Sequence, residues 1–473
     1  MKRIDEQYIN GQLAASRGRA VLDLINPATE EPRAQVVLGD ERDIRVAVAA
    51  AKAAFPAWCR SSLEERGALF ARIHDAILAR EDEMARAAVE EYGVPLAAAR
   101  ARVRAAAQAF LRTRGLLDEF PFTRRVGKAR VVLEPLGVAG FITPWNANYT
   151  HLAKAAAALA VGCTVVIKPS ELSAAQTRLM IECFEEAGVP AGVLNIVNGL
   201  GEVAGTELTR HPDVAALSFT GSSRVGRIIR RDSAETLKRV SLELGGKSAN
   251  ILLDDADFAR AVPMAVGIAF HNNGQACHAG TRLLVPEHRL DEVAGLVRAA
   301  VPQVRVGDPL DPATSLGPLV SREQWETVQR YIQSGLDQGA QLLVGGPGRP
   351  EGLERGFFVK PTAFAWVTPD MTIAQEEIFG PVLSILTYRD EDEAVDIANG
   401  TVYGLSAYVS GNAERAEALA RRLVAGSVLI NHAAHDEPLA PFGGFKQSGL
   451  GREQGVYGML EFTEPKTILG CAH

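Results

Sequence analysis

The chain has 473 residues, enough for more than one hydrophobic core, because single domains mostly run to roughly 100–200 residues. Hydrophobic residues make up 47% and charged residues 23%, which is ordinary for a folded globular protein and excludes a disordered or fibrous one. The net charge is −7, and Lys and Arg are scattered along the chain. This distribution argues against nucleic acid or an anionic membrane as a main partner.

The N-terminus and the cysteines bear on the compartment in which the chain works. No secretory pattern follows the charged first residues, and no segment approaches the ~20 apolar residues that a membrane span needs. The five cysteines, at positions 59, 163, 183, 277 and 471, form no CxxC pair. Neither a disulfide framework nor a zinc site is expected, and we predict a cytoplasmic protein without a bound metal.

The first ~115 residues predict mainly helix. Ser62 and Glu65 have the spacing of a capping box, and the helical pattern that they open runs to Tyr92 and stops at Gly93. A second helical pattern covers Arg100–Leu117.

From residue 138 onward, apolar runs alternate with helical patterns, which is typical of parallel sheets covered by helices on both faces. The first series of predicted strands is Val138–Ile142, Thr164–Ile167, Val193–Val197, Ala215–Phe219 and Arg239–Leu244. The second series is Ile251–Leu253, Arg282–Val285, Gln341–Val344, Val382–Leu386, Leu405–Val409 and Val428–Ile430. Helices are predicted at Leu152–Val161, Ser173–Ala187, Glu391–Ala398 and Ala413–Leu423. We therefore expect two successive doubly wound α/β units.

The chain closes with Lys466–Leu469, which is predicted as a lone strand with no partner nearby. Such a strand would suit pairing with another subunit, and a frayed tail is an equally good interpretation.

Four segments contain residue types suited to chemistry. They are FITPWNAN (141–148), VVIKPSE (165–171), SFTGSSRVG (218–226), and the pair formed by ELGG (243–246) and NGQAC (273–277). A glycine turn between a strand and a helix leaves N–H groups where a phosphate can bind, although simple packing is the commoner reason for such a turn. A lone cysteine is more often part of a core than a nucleophile. Taken singly, each segment is a weak signal.

Seven motifs nevertheless occur in one order over more than 300 residues: PWN, KPSE, FTGS, ELGG, GQxC, EEIFGPV (376–382) and PFGGFKQSG (441–449). In this order they closely resemble the aldehyde dehydrogenase superfamily, and the resemblance covers essentially the whole chain. It implies two doubly wound Rossmann-like α/β domains plus a small β oligomerisation element, in a homodimer or homotetramer. The implied division is 1–119 with 135–245 for NAD binding, 246–445 for catalysis, and 120–134 with 446–473 for the oligomerisation element and C-terminal segment.

The resemblance implies NAD(P)-dependent, hydrolytic oxidation of an aldehyde to a carboxylic acid. Cys277 is the expected nucleophile, which forms a thiohemiacetal and then a thioester, and Glu243 is the expected general base for the deacylating water. The Asn146 amide and the Cys277 backbone N–H are expected to bind the oxyanion. Lys154 resembles a lysine that relays protons, although the loop before it is one residue shorter than usual. A free thiol has a pKa of about 8.5, so nearby groups must activate it.

The residues that match cofactor contacts of the family are Trp145, Lys168, Glu171, Gly221, Ser222, Glu377 and Phe379. Lys168 and Glu171 match contacts of the adenosine ribose, and Gly221 with Ser222 matches the turn beneath the pyrophosphate. Glu171 would lie where NADP carries its extra phosphate, and like charges repel. We therefore predict NAD, with use of NADP left open.

By the same resemblance the substrate pocket is lined by Tyr149, His271, Ala276, His278, Asp436 and Phe442. No arginine is expected at its mouth, so a carboxylate-tailed semialdehyde is not favoured. We expect a medium-sized aldehyde with a polar or aromatic group. The equal alternative is that His271 and His278 pack or bind water and select nothing.

The same fold can serve two other function classes. A CoA-acylating relative would pass the acyl group to another nucleophile, but such enzymes generally lack the glutamate of ELGG. A non-catalytic binding protein on the same fold would be expected to lose Cys277, Asn146 or Glu243, and all three are present.

Overall fold

The computed structural model describes residues 2–470. Its strands are, in chain order, β1 (Lys2–Ile4), β2 (Glu6–Ile9), β3 (Gln12–Ala15), β4 (Val21–Asn26), β5 (Glu31–Val37), β6 (Thr123–Val126), β7 (Ala129–Pro135), β8 (Val138–Ile142), β9 (Thr164–Lys168), β10 (Leu194–Ile196), β11 (Val214–Thr220), β12 (Arg239–Glu243), β13 (Ala249–Leu252), β14 (Arg282–Pro286), β15 (Gln341–Val344), β16 (Thr362–Ala365), β17 (Val382–Tyr388), β18 (Ser406–Ser410), β19 (Ser427–Ile430), β20 (Gly449–Leu450) and β21 (Thr463–Ile468). Its α-helices are α1 (Glu41–Trp58), α2 (Leu63–Ala79), α3 (Glu81–Tyr92), α4 (Leu96–Leu116), α5 (Asn148–Ala153), α6 (Ala155–Val161), α7 (Ala174–Glu186), α8 (Thr206–Arg210), α9 (Ser223–Asp232), α10 (Phe258–Phe270), α11 (Leu290–Ala300), α12 (Arg322–Asp337), α13 (Thr372–Gln375), α14 (Glu391–Asn399), α15 (Ala413–Ala420) and α16 (Gly455–Leu460).

Five short strands precede the first helix, so the prediction of a mainly helical start is wrong for residues 2–37. β2 and β3 form a hairpin whose loop residues, Asn10 and Gly11, have positive φ of 54° and 76°. Two such residues make the turn whose twist suits antiparallel strands. β2 also pairs with β10, far along the chain, and this tertiary pairing leaves little trace in a local pattern.

The helical pattern that begins after Ser62 is confirmed, but it divides into α2 and α3 at Arg80. The capping box is present: Glu65 N donates to Ser62 Oγ at 3.1 Å, and Ser62 N donates to Glu65 Oε2 at 2.7 Å. Gly93 ends α3 with a φ of 82°, and a Cβ there would lie 2.6 Å from Pro318 Cγ. Both the backbone conformation and the available space therefore require glycine at this position.

The first large sheet has the strand order β20-β12-β11-β8-β9-β10-β2-β3. Strands β8 to β12 are parallel, and every residue of β8 and β9 is buried, as expected for strands covered on both faces. The four neighbouring strands β12, β11, β8 and β9 end side by side, at Glu243, Thr220, Ile142 and Lys168. Four of the sequence motifs therefore meet at one edge of this sheet.

The second large sheet has the order β15-β16-β17-β14-β13-β18-β19. Among the described strands of this sheet, only β15 is antiparallel to its neighbour. The segments ELGG and NGQAC lie just before β13 and β14, at the amino ends of these strands. The predicted fold of two α/β sheets is confirmed. The predicted domain boundaries remain a prediction, and β20, from the predicted C-terminal segment, pairs with β12.

A three-stranded sheet of order β21-β7-β6 lies apart from the two large ones. The prediction that the last strand has no partner nearby is wrong, because β21 pairs antiparallel with β7 from Thr463 opposite Pro135 to Ile468 opposite Arg130. The partner is distant in sequence, so a local pattern could not reveal it. Among the described helices, none is long and apolar enough to cross a membrane.

Candidate active site

The candidate site lies where the carboxyl-end edge of the first sheet faces the loop that carries Cys277. Two hydrogen bonds join the two sides of this cleft. Asn146 Nδ2 donates to Gln275 O at 3.1 Å, and Gly246 N donates to Glu377 Oε1 at 3.3 Å. Ligands of doubly wound sheets bind in such crevices at strand carboxyl ends.

The loop before Cys277 is held in an unusual shape. Asn272 and Asn273 both have φ of 57°, a left-handed conformation that asparagine tolerates better than most residues. Asn273 Nδ2 donates to the carbonyls of Gly93 and Pro318 at 3.1 and 2.9 Å. Buried hydrogen bonds therefore fix the backbone that presents the thiol.

The two glycines of ELGG allow the loops to approach each other closely. A Cβ on Gly245 would lie 2.2 Å from Glu377 Oε2, and a Cβ on Gly246 would lie 2.3 Å from Cys277 O. A side chain at Gly245 would displace the Glu377 carboxylate, and one at Gly246 would displace the backbone of Cys277.

Cys277 lies deep in this cleft and remains partly accessible. Burial, with the nearby Glu377 and Glu243 carboxyl groups, raises the pKa of its thiol to about 12, and Lys154 opposes this. Burial also raises the pKa of the core residue Cys163 to about 11. Both cysteines are therefore protonated thiols when no ligand is bound. Cys277 differs from Cys163 because it is partly accessible and lies near Glu243, Glu377 and Lys154.

Glu243 ends β12 and is buried, and neither of its carboxyl oxygens has a hydrogen-bond partner within residues 2–470. Burial, and then the carboxylate of Glu453, raises the pKa of Glu243 well above its usual range, whereas Lys154 and Arg452 oppose the rise. A raised pKa suits a carboxylate that must accept a proton near neutral pH.

Lys154 lies between α5 and α6, which together replace the single helix predicted for Leu152–Val161. Its Nζ donates to Thr220 Oγ1 and to Glu453 Oε1, both at 2.7 Å. Lys154 thus reaches the end of β11 and the neighbourhood of Glu243, as the predicted proton relay requires. Glu453 follows the last motif and was missed from the sequence.

The two predicted adenosine-ribose contacts, Lys168 and Glu171, lie next to each other. Lys168 Nζ donates to Glu171 Oε2 at 3.1 Å at the end of β9. At the end of β11, a Cβ on Gly221 would lie 2.5 Å from the ring of Phe219, so only glycine fits there. Ser222 Oγ accepts from Val225 N at 3.3 Å and caps α9, whose amino end can attract phosphate.

The remaining cofactor residues form an aromatic corner. The rings of Trp145 and Phe379 meet edge to face with centroids 5.5 Å apart, and Tyr92 packs 5.6 Å from Trp145 on its other side. Burial raises the pKa of Glu377, beside Gly246, to about 7. A carboxyl group next to flat rings fits a ribose and a nicotinamide, so the residues present suit a dinucleotide.

A series of rings begins at His278, the residue after Cys277, and we name it the ring wall: His271, His278, Tyr408, His435 and Phe442. Successive ring centroids are 5.9 Å apart from His271 to His278, 4.9 Å from His278 to His435 and 5.7 Å from His435 to Phe442. Tyr408 Oη donates to His278 O at 3.0 Å and holds the residue after Cys277 in place.

The sequence-based list of pocket residues needs one correction. Tyr149 is buried in the core, where its hydroxyl donates to Met84 O at 2.8 Å, so it does not line the pocket. Asp436 is exposed and lies 2.9 Å from His432 Nε2, whereas the adjacent His435 joins the ring wall. The helix α5 turns Tyr149 inward, which residue spacing alone did not indicate.

Fold and site together define an oxidoreductase in which a thiol faces the nucleotide-binding edge of an α/β sheet. The sequence profile of the aldehyde dehydrogenase family matches residues 14–468, and the chain belongs to this family. The predicted family, fold and enzyme class, an aldehyde dehydrogenase, are thereby confirmed.

Known relatives resemble the chain over its full length. It is 47% identical to 3-succinoylsemialdehyde-pyridine dehydrogenase from Pseudomonas sp, with 99% of each chain covered. A variant of aldehyde dehydrogenase C from Pseudomonas syringae, solved with NAD+ and octanal, is 45% identical at a TM-score of 0.98, with 100% of this chain and 99% of that one covered. The NAD+ complex of the Bacillus cereus aldehyde dehydrogenase is 38% identical at a TM-score of 0.95, with 98% and 96% covered.

Proposed function

We propose that this chain oxidises an aldehyde to a carboxylic acid with NAD+ as the hydride acceptor and water as the source of the second oxygen. The observation that carries the proposal is the convergence of Cys277, Asn146 and Glu243 at the sheet edge where Lys168 and Glu171 also lie. In balance, aldehyde, NAD+ and water give acid, NADH and a proton.

Cys277 is the nucleophile. Its sulfur bonds the carbonyl carbon, and the carbonyl oxygen becomes an oxyanion. The side-chain amide of Asn146, which rests 3.1 Å from Gln275 O, and the backbone N–H of Cys277 donate to that oxygen. Each such donor contributes about 3 kcal/mol in the transition state.

NAD+, when bound, would supply the hydride acceptor and a positively charged ring that favours the Cys277 thiolate. Lys168 and Glu171 would hold the adenosine ribose, and the turn of Gly221 and Ser222 would hold the pyrophosphate at the amino end of α9. The carboxylate of Glu171 disfavours the extra phosphate of NADP, which makes NAD the preferred cofactor.

For the nicotinamide end of the cofactor, the Glu377 carboxylate would accept hydrogen bonds from hydroxyl groups of the ribose, and Phe379 with Trp145 would provide the aromatic surface for the ring. The left-handed backbone of Phe379, with a φ of 58°, turns its ring toward Trp145.

Glu243 is the general base that removes a proton from the water that attacks the thioester carbon. The carbon–sulfur bond then breaks, and Cys277 is released as a thiolate. Lys154 and Glu453, hydrogen-bonded to each other at 2.7 Å and partly exposed, carry the proton toward solvent.

The substrate is a medium-sized aldehyde with a polar or aromatic group. The support is the ring wall, because aromatic and imidazole rings pack on flat groups. One relative is named as the dehydrogenase of a semialdehyde that carries a pyridine ring, and another relative was solved with octanal. Kinetics with benzaldehyde, pyridine carboxaldehydes and straight-chain alkanals test this proposal, and a strong preference for long alkanals contradicts it.

The chain acts as a homodimer or homotetramer in the cytoplasm, with the small sheet as a contact element. The support is the exposed edge strand β21, whose residues 464–467 are all exposed. Light scattering on the purified chain tests the assembly. A monomer at micromolar concentration contradicts it.

The central test mixes the purified chain with benzaldehyde and NAD+ and follows NADH by its absorbance and benzoate by chromatography. We expect equal amounts of NADH and benzoate without added CoA. Two results contradict the proposal: no NADH with any aldehyde of the panel, or a product that forms only as benzoyl-CoA when CoA is added.

A further inference from the structure

Arg102 lies at the cleft although none of the seven motifs contains it. It belongs to α4, and its Nη1 donates to the backbone carbonyl of Asn146 at 3.0 Å. Asn272 Nδ2 donates to the same carbonyl at 3.2 Å, and the guanidinium lies 5.5 Å from the centre of the Tyr92 ring. Arg102 is therefore held directly beside the residue that binds the oxyanion.

The neighbouring arginines of α4 are neutralised, and Arg102 is not. Arg100 pairs with Asp82 at 2.9 Å, and Arg104 pairs with Glu81 at 2.8 Å. Arg102 is half-buried and forms no ion pair with any residue between 2 and 470. A partly buried cation without a carboxylate is costly unless another acceptor completes its hydrogen bonds.

The side chains across the cleft from Arg102 do not supply that acceptor. Burial, then the charges of Arg102 and His435, lowers the pKa of His271 to about 4, and burial with the same charged groups and His271 lowers the pKa of His278 to about 3. Both rings are therefore neutral at pH 7 and bring no negative charge to Arg102, and within residues 2–470 neither ring accepts a hydrogen bond from it, since its guanidinium donates to Asn146 O instead. Asp436 is turned to His432 at the surface.

We propose that Arg102 is a specificity-determining residue that binds a ketone or carboxylate oxygen at the end of the substrate away from the aldehyde group. The ring wall packs against the part of the substrate between that oxygen and the aldehyde group. This role of Arg102 departs from the sequence-based expectation that no arginine lies at the pocket mouth. It rests on the proposed function, since it concerns the substrate of the same site.

Three aldehydes of nearly equal shape test it: 4-carboxybenzaldehyde, 4-acetylbenzaldehyde and 4-isopropylbenzaldehyde. The first two carry the oxygen acceptor as a carboxylate or a ketone, and the third replaces it with methyl groups. The readout is kcat/KM for each acceptor substrate divided by kcat/KM for the isopropyl compound. Because Arg102 also contacts Asn146, its loss can slow all three reactions, and the ratio cancels that common effect.

Arg102→Met is compared with the unaltered enzyme, and Arg104→Met, on the exposed side of the same helix, is the matched control. We expect at least one ratio to fall about tenfold or more in Arg102→Met, as for a lost hydrogen bond to a charged group, and neither to change in Arg104→Met. The substrate that loses most identifies the ketone or the carboxylate as the natural group. If both ratios stay within twofold in Arg102→Met while NADH still forms, the inference is wrong. If the unaltered enzyme forms no NADH with any aldehyde, the proposed function fails instead.

Discussion

The two sides of the cleft are built in different ways. Most of the cofactor side comes from the ends of β8, β9, β11 and β12, four adjacent strands whose spacing the sheet register fixes. Glu377 and Phe379 complete it from the segment before β17. The substrate side comes from α4, the loop 271–278 and the loop 431–442, which no common sheet holds together. A rigid frame suits residues that must meet one invariant cofactor, and loops suit residues that adapt the pocket to one aldehyde. Cofactor binding and substrate selectivity are thereby separated in space, and Cys277 lies between them.

The largest effect is expected from removing the sulfur of Cys277, which lies between the two sides of the cleft. Replacing Cys277 by Ala should lower kcat at least about 10⁴-fold, because Cys277 is the thiol that the described cleft presents to the aldehyde. NAD+ binding, measured by calorimetry, should persist, since the cofactor side is untouched. Cys59→Ala, at the C-terminal end of α1, is the control and should retain full turnover. Normal NADH production by Cys277→Ala would contradict the assignment.

The cofactor side alone should respond to a change at Glu171. In Glu171→Gln we expect kcat/KM with NADP relative to NAD to rise by about tenfold, since each 1.4 kcal/mol of removed repulsion is a factor of ten. Glu185→Gln, on the exposed face of α7, is the matched control. An unchanged ratio, or a natural preference for NADP, would show that Glu171 does not lie beside the adenosine ribose.

Glu453 and Lys154 lie near Glu243, and substitutions at these two residues should shift the pH dependence of kcat in opposite directions. Glu243 must lose its proton to act as a base, so activity falls as pH drops through its raised pKa. The carboxylate of Glu453 raises that pKa and Lys154 lowers it. Glu453→Gln should therefore move the acid limb to lower pH, and Lys154→Met should move it to higher pH, each by about one unit. Shifts of the same sign in both variants would contradict this account.

The sequence predicted the parts of the molecule that depend on local patterns. The buried strands β8 and β9, the capping box of Ser62 and Glu65, and the placement of the motifs at strand ends were all recognisable. Cys277 and Glu243 were found through their motifs, and the structure brings them to one cleft.

The parts that depend on contacts between distant segments could not be predicted. The pairing of β2 with β10 and that of β21 with β7 join segments far apart in the chain, which no local pattern shows. Arg102 looked like one more arginine on an Ala/Arg-rich helix, and His435 like a loop residue. Only the fold shows that the first lacks a carboxylate and that the second completes the ring wall.

The central claim is that the acyl group is carried on the sulfur of Cys277 before water releases it. Glu243→Gln removes the base but keeps the thiol, so its first turnover should remain and its steady state should fall about 10²–10⁴-fold. Acid-quenched enzyme, mixed with NAD+ and benzaldehyde, is analysed by mass spectrometry. We predict one added benzoyl group on the peptide that contains Cys277, in an amount equal to the NADH formed. NADH produced with no added mass, or with the mass on another cysteine, would contradict the account.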